Sequence, residues 1–162
     1  QASLAGGTVR IANRQSGGAR VTLRLPLRPA TEAPSSETKL VLLVEDSPEI
    51  RTYVRETLVA LGHQVIEAET AADALSLAQI PDIGFVLSDI QLRGDQTGLE
   101  LLRELETRHP GLSCGLMTSL PASNQLHRDA AASFHVLAKP FSPAELDGFL
   151  RNCSLASITR AQ

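Results

Sequence analysis

Several polar residues stand out because each directly follows an apolar run: Glu45-Asp46, Asp89, Thr118-Ser119 and Lys139-Pro140. If those runs are neighbouring strands, the carboxylates of Glu45, Asp46 and Asp89 converge at one sheet edge. Like charges so close raise one another's pKa unless a cation neutralises them. A hard divalent ion that takes oxygen ligands, Mg²⁺ above all, fits that role, and Lys139 supplies a further positive charge. The chemistry that needs such a set is phosphoryl transfer to a carboxylate, where the acceptor's charge and the incoming charge must be neutralised together. Electrostatic positioning then carries most of the catalysis. Acidic residues at strand ends are often only solvated loop charges, and it is the joint occurrence that argues for a site.

The elements that must position these residues alternate along the chain. Lys39 to Val44 is a continuous apolar run, as expected of a strand covered on both faces. A helix follows from Pro48 to Leu61, with Ile50, Val54, Leu58 and Leu61 on one stripe and Gly62 ending it. Gln64 to Ala68 reads as a second strand, and Thr70 caps a helix with Asp73 three residues on. Ile83 to Ser88 is a third strand, and Gly98 to Arg108 a helix with Leu99, Leu102 and Leu105 inward. Ser113 to Met117 is a fourth strand, followed by a helix over 122–131. Phe134 to Ala138 is a fifth strand, and Ser142-Pro143-Ala144-Glu145 opens a last helix with Ser at the cap, Pro at the first position and Glu at the third. This alternation predicts an α/β fold, a doubly wound five-stranded parallel sheet of flavodoxin-like type. In such sheets ligands bind at the carboxyl ends of the strands, at the topological switch point.

The preceding segment differs. Thr8–Ala12 and Ala19–Leu25 alternate apolar with polar residues around Ser16-Gly17-Gly18, which predicts a β-hairpin. A hairpin alone is marginal in water and needs a partner, most simply the rest of a domain beyond this sequence. Residues 29–38 are rich in Pro, Ser and charge and read as a linker. The expected organisation is an N-terminal hairpin over 1–28, that linker, a domain over 39–153 and a tail over 154–162. Beginning at Gln1 rather than Met, the 162-residue chain is expected to be a piece of something longer.

Composition narrows the function classes. Hydrophobic residues make up 43% and charged residues 20%, a globular balance, and aromatics only 3%, so the core must be aliphatic. A net charge of −3 argues against a nucleic-acid binder. No run is long enough to cross a bilayer and the start of this sequence shows no basic stretch followed by an apolar one, so, with the charge balance, neither a nucleic-acid nor a membrane partner is expected in this segment. Cys114 and Cys153 have no metal spacing; Cys114, in an apolar run, is expected to be a buried thiol in a reducing cytoplasm. The four histidines share no spacing and read as surface or packing residues. Met117 and Phe141 are expected in the core, and the Arg/Glu-rich faces of the helices from Pro48 and Gly98 in solvent.

In order and placement, Glu45-Asp46, Asp89, Thr118 and Lys139-Pro140 resemble the receiver domain of two-component response regulators, over Lys39 to about Cys153. The resemblance implies that Glu45 and Asp46 hold Mg²⁺, Asp46 the more directly, and that Asp89 is phosphorylated. It implies that the backbone carbonyl of Gln91 contacts the metal, that Thr118 bonds the phosphoryl group, that Lys139 pairs with it, and that Lys139-Pro140 is cis. The phosphodonor would be a histidine kinase core or a histidine phosphotransfer domain, and pairing into a homodimer is possible for such domains. The opening Leu4-Ala-Gly-Gly-Thr-Val-Arg-Ile and Ser16-Gly-Gly-Ala-Arg-Val-Thr-Leu-Arg-Leu-Pro26 are similar to the last two strands of a histidine-kinase ATPase domain. Together the two resemblances imply the C-terminal part of a hybrid histidine kinase, without its ATP site.

Some positions depart from that pattern. Val136, three before Lys139, stands where the family usually carries an aromatic that rotates inward when the Thr engages phosphate. Arg93 stands where Pro is common. Gln91 and Leu120 occupy positions where the family tunes dephosphorylation. The alternative reading is therefore a protein-binding module that regulates its parent kinase with weak phosphorylation-driven switching. A hydrolase of external phosphate esters is disfavoured, because Asp89-Ile90-Gln91 lacks a second Asp two residues after the nucleophile.

Overall fold

The computed structural model describes residues 39–160 and, before them, the strand segments 2–4, 8–13, 19–24 and 27–29; side chains are described for residues 39–154. The early strands are β1 (Ala2–Leu4), β2 (Thr8–Asn13), β3 (Ala19–Arg24) and β4 (Leu27–Pro29). The alternating region then runs β5 (Leu40–Val44), α1 (Pro48–Ala60), β6 (Gln64–Ala68), α2 (Ala71–Leu77), β7 (Ile83–Asp89), α3 (Gly98–Arg108), β8 (Ser113–Thr118), α4 (Gln125–Ser133), β9 (Val136–Ala138) and α5 (Pro143–Arg160).

The sheet order β6-β5-β7-β8-β9 is that of a flavodoxin-like five-stranded parallel sheet, in agreement with the alternation of the sequence. Strand β5 explains how a continuous apolar run is used. Leu42 and Val44 enter one core with α2, α3 and α4, whereas Val41 and Leu43 enter the other with α1 and α5. Strand β7 divides likewise, Val86 to the first core and Phe85 and Leu87 to the second. Burial on both faces is why neither strand carries a polar residue until its end.

Helix ends follow local chemistry. Thr70 accepts from the Asp73 amide at 3.1 Å. Thr97 and Glu100 form a reciprocal capping box at the start of α3. Ser142 accepts from the Glu145 amide at 3.2 Å, and Gly62 takes a φ of 96° after α1. Helix α4 starts at Gln125 rather than 122, because Pro121 to Asn124 forms a turn and Asn124 caps the helix through the Leu126 amide. Strand β9 starts at Val136 rather than 134, because the Phe134 amide is spent on Ala130 at the end of α4. Expected as a tail from residue 154, the C-terminus instead continues as helix to Arg160, since no Gly or Pro follows Gly148 to stop it.

Cys114 is only half-buried, contrary to expectation, while Cys153 is buried. Strand β9 pairs with Leu116–Thr118 alone and leaves the start of β8 at the sheet edge. Met117 and Phe141 are in the core as expected, and His63 is a packing residue, accepting from the Lys39 amide at 3.2 Å.

Strands β2 and β3 form the antiparallel hairpin expected from their alternation. Its partner lies within the chain: Thr8–Arg10 pairs in parallel with Val65–Glu67, extending the sheet to seven strands. Strands β1 and β4 pair with each other, and β4 takes in Pro29 from the expected linker. The expected turn at Ser16-Gly17-Gly18, linker positions 30–38, and 161–162 lie outside the described residues.

Gly98 makes the approach of α3 to the end of β7 possible. A Cβ there would sit 1.9 Å from the Asp89 carbonyl oxygen. Gly98→Ala should therefore lower the unfolding free energy by about 1–3 kcal/mol, the usual cost of overpacking. Helix propensity alone would favour Ala. Urea denaturation decides, and a stabilised variant would contradict the contact.

Candidate functional site

The registers of the parallel ladder bring the strand ends together. Val44 is opposite Ser88, so Glu45 and Asp89 emerge side by side where β5 meets β7. Asp89 is opposite Met117, and Thr118 is opposite Ala138, which delivers Thr118 and Lys139 to the same rim. This is the point at which the strand order reverses.

Glu45, Asp46 and Asp89 each place a carboxylate oxygen within 4.8 Å of the others. Lys139 Nζ lies 3.1 Å from Glu45 Oε2 and 3.3 Å from Asp89 Oδ2, and the Lys139-Pro140 bond is cis, as the resemblance implied. The Lys139 amide donates to the Thr118 carbonyl at 2.8 Å, so strand β8 holds the start of the loop that carries the ammonium. Thr118 is buried, its hydroxyl oxygen accepting from the Leu120 amide at 3.0 Å. The Gln91 amide donates to Asp89 Oδ1 at 3.4 Å, and the Ser47 amide to Glu45 Oε1 at 3.1 Å. The expected residues are therefore gathered: both acidic residues of the β5–α1 turn, Asp89 and Lys139 in one cluster, Gln91 beside Asp89, and Thr118 at the end of the adjoining strand.

Two basic residues outside the expected set belong to the same neighbourhood. Arg93 is exposed, and its Nε lies 3.3 Å from Asp46 Oδ2. Arg51, on the α1 face expected to be solvated, is instead 1% exposed. It donates through Nη1 to the Glu45 carbonyl at 2.8 Å and through Nη2 to Glu69 Oε1 at 2.9 Å. Its Nε lies 3.7 Å from Oε1 of the buried Glu67. Two signals could have found it. Arg51, Val54 and Leu58 share the spacing of one helix face, and Glu67 interrupts the apolar positions Val65, Ile66 and Ala68 of its strand. Opposite charges at two inward positions imply a pair.

Burial pushes the Glu45 carboxyl up to about 7, the Asp89 charge adds to this, and the Ser47 amide and Lys139 oppose it. Burial likewise raises Asp89, against the opposing charge and hydrogen bond of Lys139. The anionic forms are thus under-neutralised by the side chains alone. Such a site is suited to a further cation and to a reaction that adds charge at Asp89.

Beside the cluster an apolar cavity of about 380 Å³ opens between α1 and the β9–α5 loop, lined among others by Ile50, Tyr53, Pro140 and Phe141. Tyr53 donates to the Phe141 carbonyl at 2.9 Å, with ring centroids 6.2 Å apart. Val136 is half-buried against the α2–α4 core. Among the described residues no helix is long and apolar enough to cross a membrane.

Residues 41–151 match the response regulator receiver domain family. The C4-dicarboxylate transport transcriptional regulatory protein DctD of Pseudomonas aeruginosa is 38% identical over 124 residues, covering 74% of this chain and 26% of that protein. The aerobic respiration control sensor protein ArcB of Escherichia coli is 35% identical over 115 residues, covering 68% of this chain and 14% of that protein. The chain thus spans about a quarter or less of the length of these relatives. Among solved structures, NtrX from Brucella abortus superposes with a TM-score of 0.69 at 25% identity, covering 77% of this chain and 29% of that one.

The raised carboxyls set a pH dependence. A carboxyl whose folded pKa exceeds its unfolded value stabilises the fold fully below the unfolded pKa, and loses that contribution as pH rises through the folded value. In chelator, the urea midpoint should fall between pH 5 and pH 8, and Glu45→Gln should flatten that fall. A midpoint that rises over this range would contradict the assignment.

Proposed function

The chain belongs to the response regulator receiver domain family, and from that membership we propose that Asp89 accepts a phosphoryl group from a phosphohistidine, with Mg²⁺ as cofactor. The observation that carries this reading is the Lys139 ammonium shared between Glu45 and Asp89 inside a cluster of three carboxylates. The donor set is all hard oxygen, with Glu45 and Asp89 buried, and short of positive charge, which fits Mg²⁺. Asp46, Glu45 and Asp89 would hold it, with the Gln91 carbonyl. When bound, the ion supplies positive charge to acceptor and phosphoryl oxygens together.

The chain's own groups do the rest. An Asp89 carboxylate oxygen attacks phosphorus; the O–P bond forms as the N–P bond of the donor breaks, and the imidazole leaves with the bonding pair. Lys139, already 3.3 Å from Asp89, compensates the charge that arrives with the phosphoryl group. The Thr118 hydroxyl, whose oxygen accepts from the Leu120 amide, keeps its own O–H to donate to a phosphoryl oxygen. Hydrolysis later returns Asp89 to the carboxylate.

The parent is proposed to be a hybrid histidine kinase, with this segment cytoplasmic. Support comes from the hairpin's similarity to the end of a kinase ATPase domain and from the match to a sensor protein as well as to transcriptional regulators. Homodimer formation stands as a further part of this proposal. Val136 favours a second reading, in which phosphorylation barely alters the α4–β9 face and output runs by constitutive contact with the parent kinase.

Incubation with Mg²⁺ and acetyl phosphate should add the mass of one phosphoryl group to the wild type and none to Asp89→Asn. Equal labelling of both would sink the proposal. Amide shifts recorded in the same sample separate the two readings: large changes across α4 and β9 count against constitutive contact. The exposed Arg93 competes with a metal for Asp46. Arg93→Ala should bind Mg²⁺ about two- to five-fold more tightly by calorimetry, the scale of one surface ion pair. The gain should shrink at high salt. Weaker binding would show that Arg93 supports the site instead.

A further inference from the structure

We propose that Arg51 is a positioning residue for the metal-binding turn, acting through the Glu45 backbone; this rests on the receiver reading above. The turn between β5 and α1 carries two of the three carboxylates. It runs through Glu45, Asp46 and Ser47 into Pro48 with no disulfide to stiffen it, so its conformation depends on where its backbone groups are bonded. The Glu45 amide donates to the Ala68 carbonyl at the end of β6, at 3.1 Å. The Glu45 carbonyl accepts from Arg51 Nη1 at 2.8 Å. With both backbone groups engaged on the β6 side, the Glu45 side chain has one direction left, toward Lys139 and Asp89.

Besides the Glu45 carbonyl, the guanidinium meets two carboxylates, one of them shared with a second Arg. Glu69 takes Nη2 at 2.9 Å, Glu67 faces Nε at 3.7 Å, and Arg55 Nη1 approaches the same Glu67 oxygen at 3.4 Å. The first turn of α1 places Arg51 over β6, where the inward row Val65, Glu67 meets the row Arg51, Val54, Leu58. Stability alone does not call for this arrangement. A buried ion pair costs desolvation, and apolar side chains of similar volume commonly serve as well or better. A Leu at 51 over an Ile at 67 would fill the same space, yet could not hold the Glu45 carbonyl. Nor could Lys, because one ammonium does not span a carbonyl and two carboxylates in the fixed geometry of a planar fork. What the charged pair supplies beyond packing is the orientation of a metal ligand. Groups of this kind typically change metal affinity by about 10–100-fold when lost.

The test separates position from stability by reading Mg²⁺ affinity and urea unfolding on the same proteins. Arg51→Lys keeps the charge beside Glu67, and the double variant Arg51→Met/Glu67→Gln removes both buried charges, so neither leaves Glu67 ionised without a cation partner. Both should unfold cooperatively and bind Mg²⁺ about ten-fold or more weakly than wild type by calorimetry. Leu58→Ala, a cavity variant on the same helix, should lose stability and keep wild-type Mg²⁺ affinity. Wild-type affinity in either Arg51 variant would overturn the proposal and leave Arg51 a structural residue. Failure of the receiver reading looks different: wild type would not bind Mg²⁺, or Asp46→Asn would bind it unchanged.

Discussion

Three carboxylates whose oxygens lie within 4.8 Å of one another repel, and Glu45 and Asp89 share that space because the Lys139 ammonium stands between them at 3.1 and 3.3 Å. Much of the fold can be understood as the means of bringing those charges from distant parts of the chain to one rim. The parallel ladder aligns Val44 with Ser88 and Thr118 with Ala138, so residues 45, 89, 118 and 139 leave the sheet together. Five parallel strands need helices on both faces to connect them, which buries Val41–Val44 of β5 and Phe85–Asp89 of β7. Their last residues are the first that can be charged.

Neutralisation by side chains remains incomplete. Burial and mutual repulsion keep Glu45 near a pKa of 7 despite Lys139. Arg93 lends a weak, solvent-exposed cation to Asp46. The site is therefore poised between protonation and a stronger external cation, and the proposed phosphoryl transfer to Asp89 is a chemistry that would use such a poise. On the opposite side of the turn, Arg51 makes no contact with the cluster's carboxylates; it bonds the backbone from which one of them hangs. Val136 is half-buried against the α2–α4 core, and as a Val it lacks the rotamer change of an aromatic, which is why the proposal keeps a second reading for the output.

The fold and the acidic cluster were legible because both rest on strong, local signals. Apolar runs ended by Asp or Glu mark buried strands and their rim, and the caps at Thr70 and Ser142 obey hydrogen bonding within three residues. What was not legible depended on long-range packing. Arg51 reads as a solvated helix charge until Glu67, on a different element, is known to face it. The start of β9 turned on whether helix or sheet claims the Phe134 amide. Cys114 turned on how short β9 is. Charges that pair across elements carry only half of their signal in each segment.

The central claim is that Asp89 alone, among the gathered carboxylates, takes the phosphoryl group. Borohydride reduction of the phosphorylated protein converts an aspartyl phosphate to homoserine, and peptide mass spectrometry locates it. Homoserine is expected at position 89 and intact aspartate at position 46. Homoserine at 46, or at neither position after full exposure to Mg²⁺ and acetyl phosphate, would contradict it.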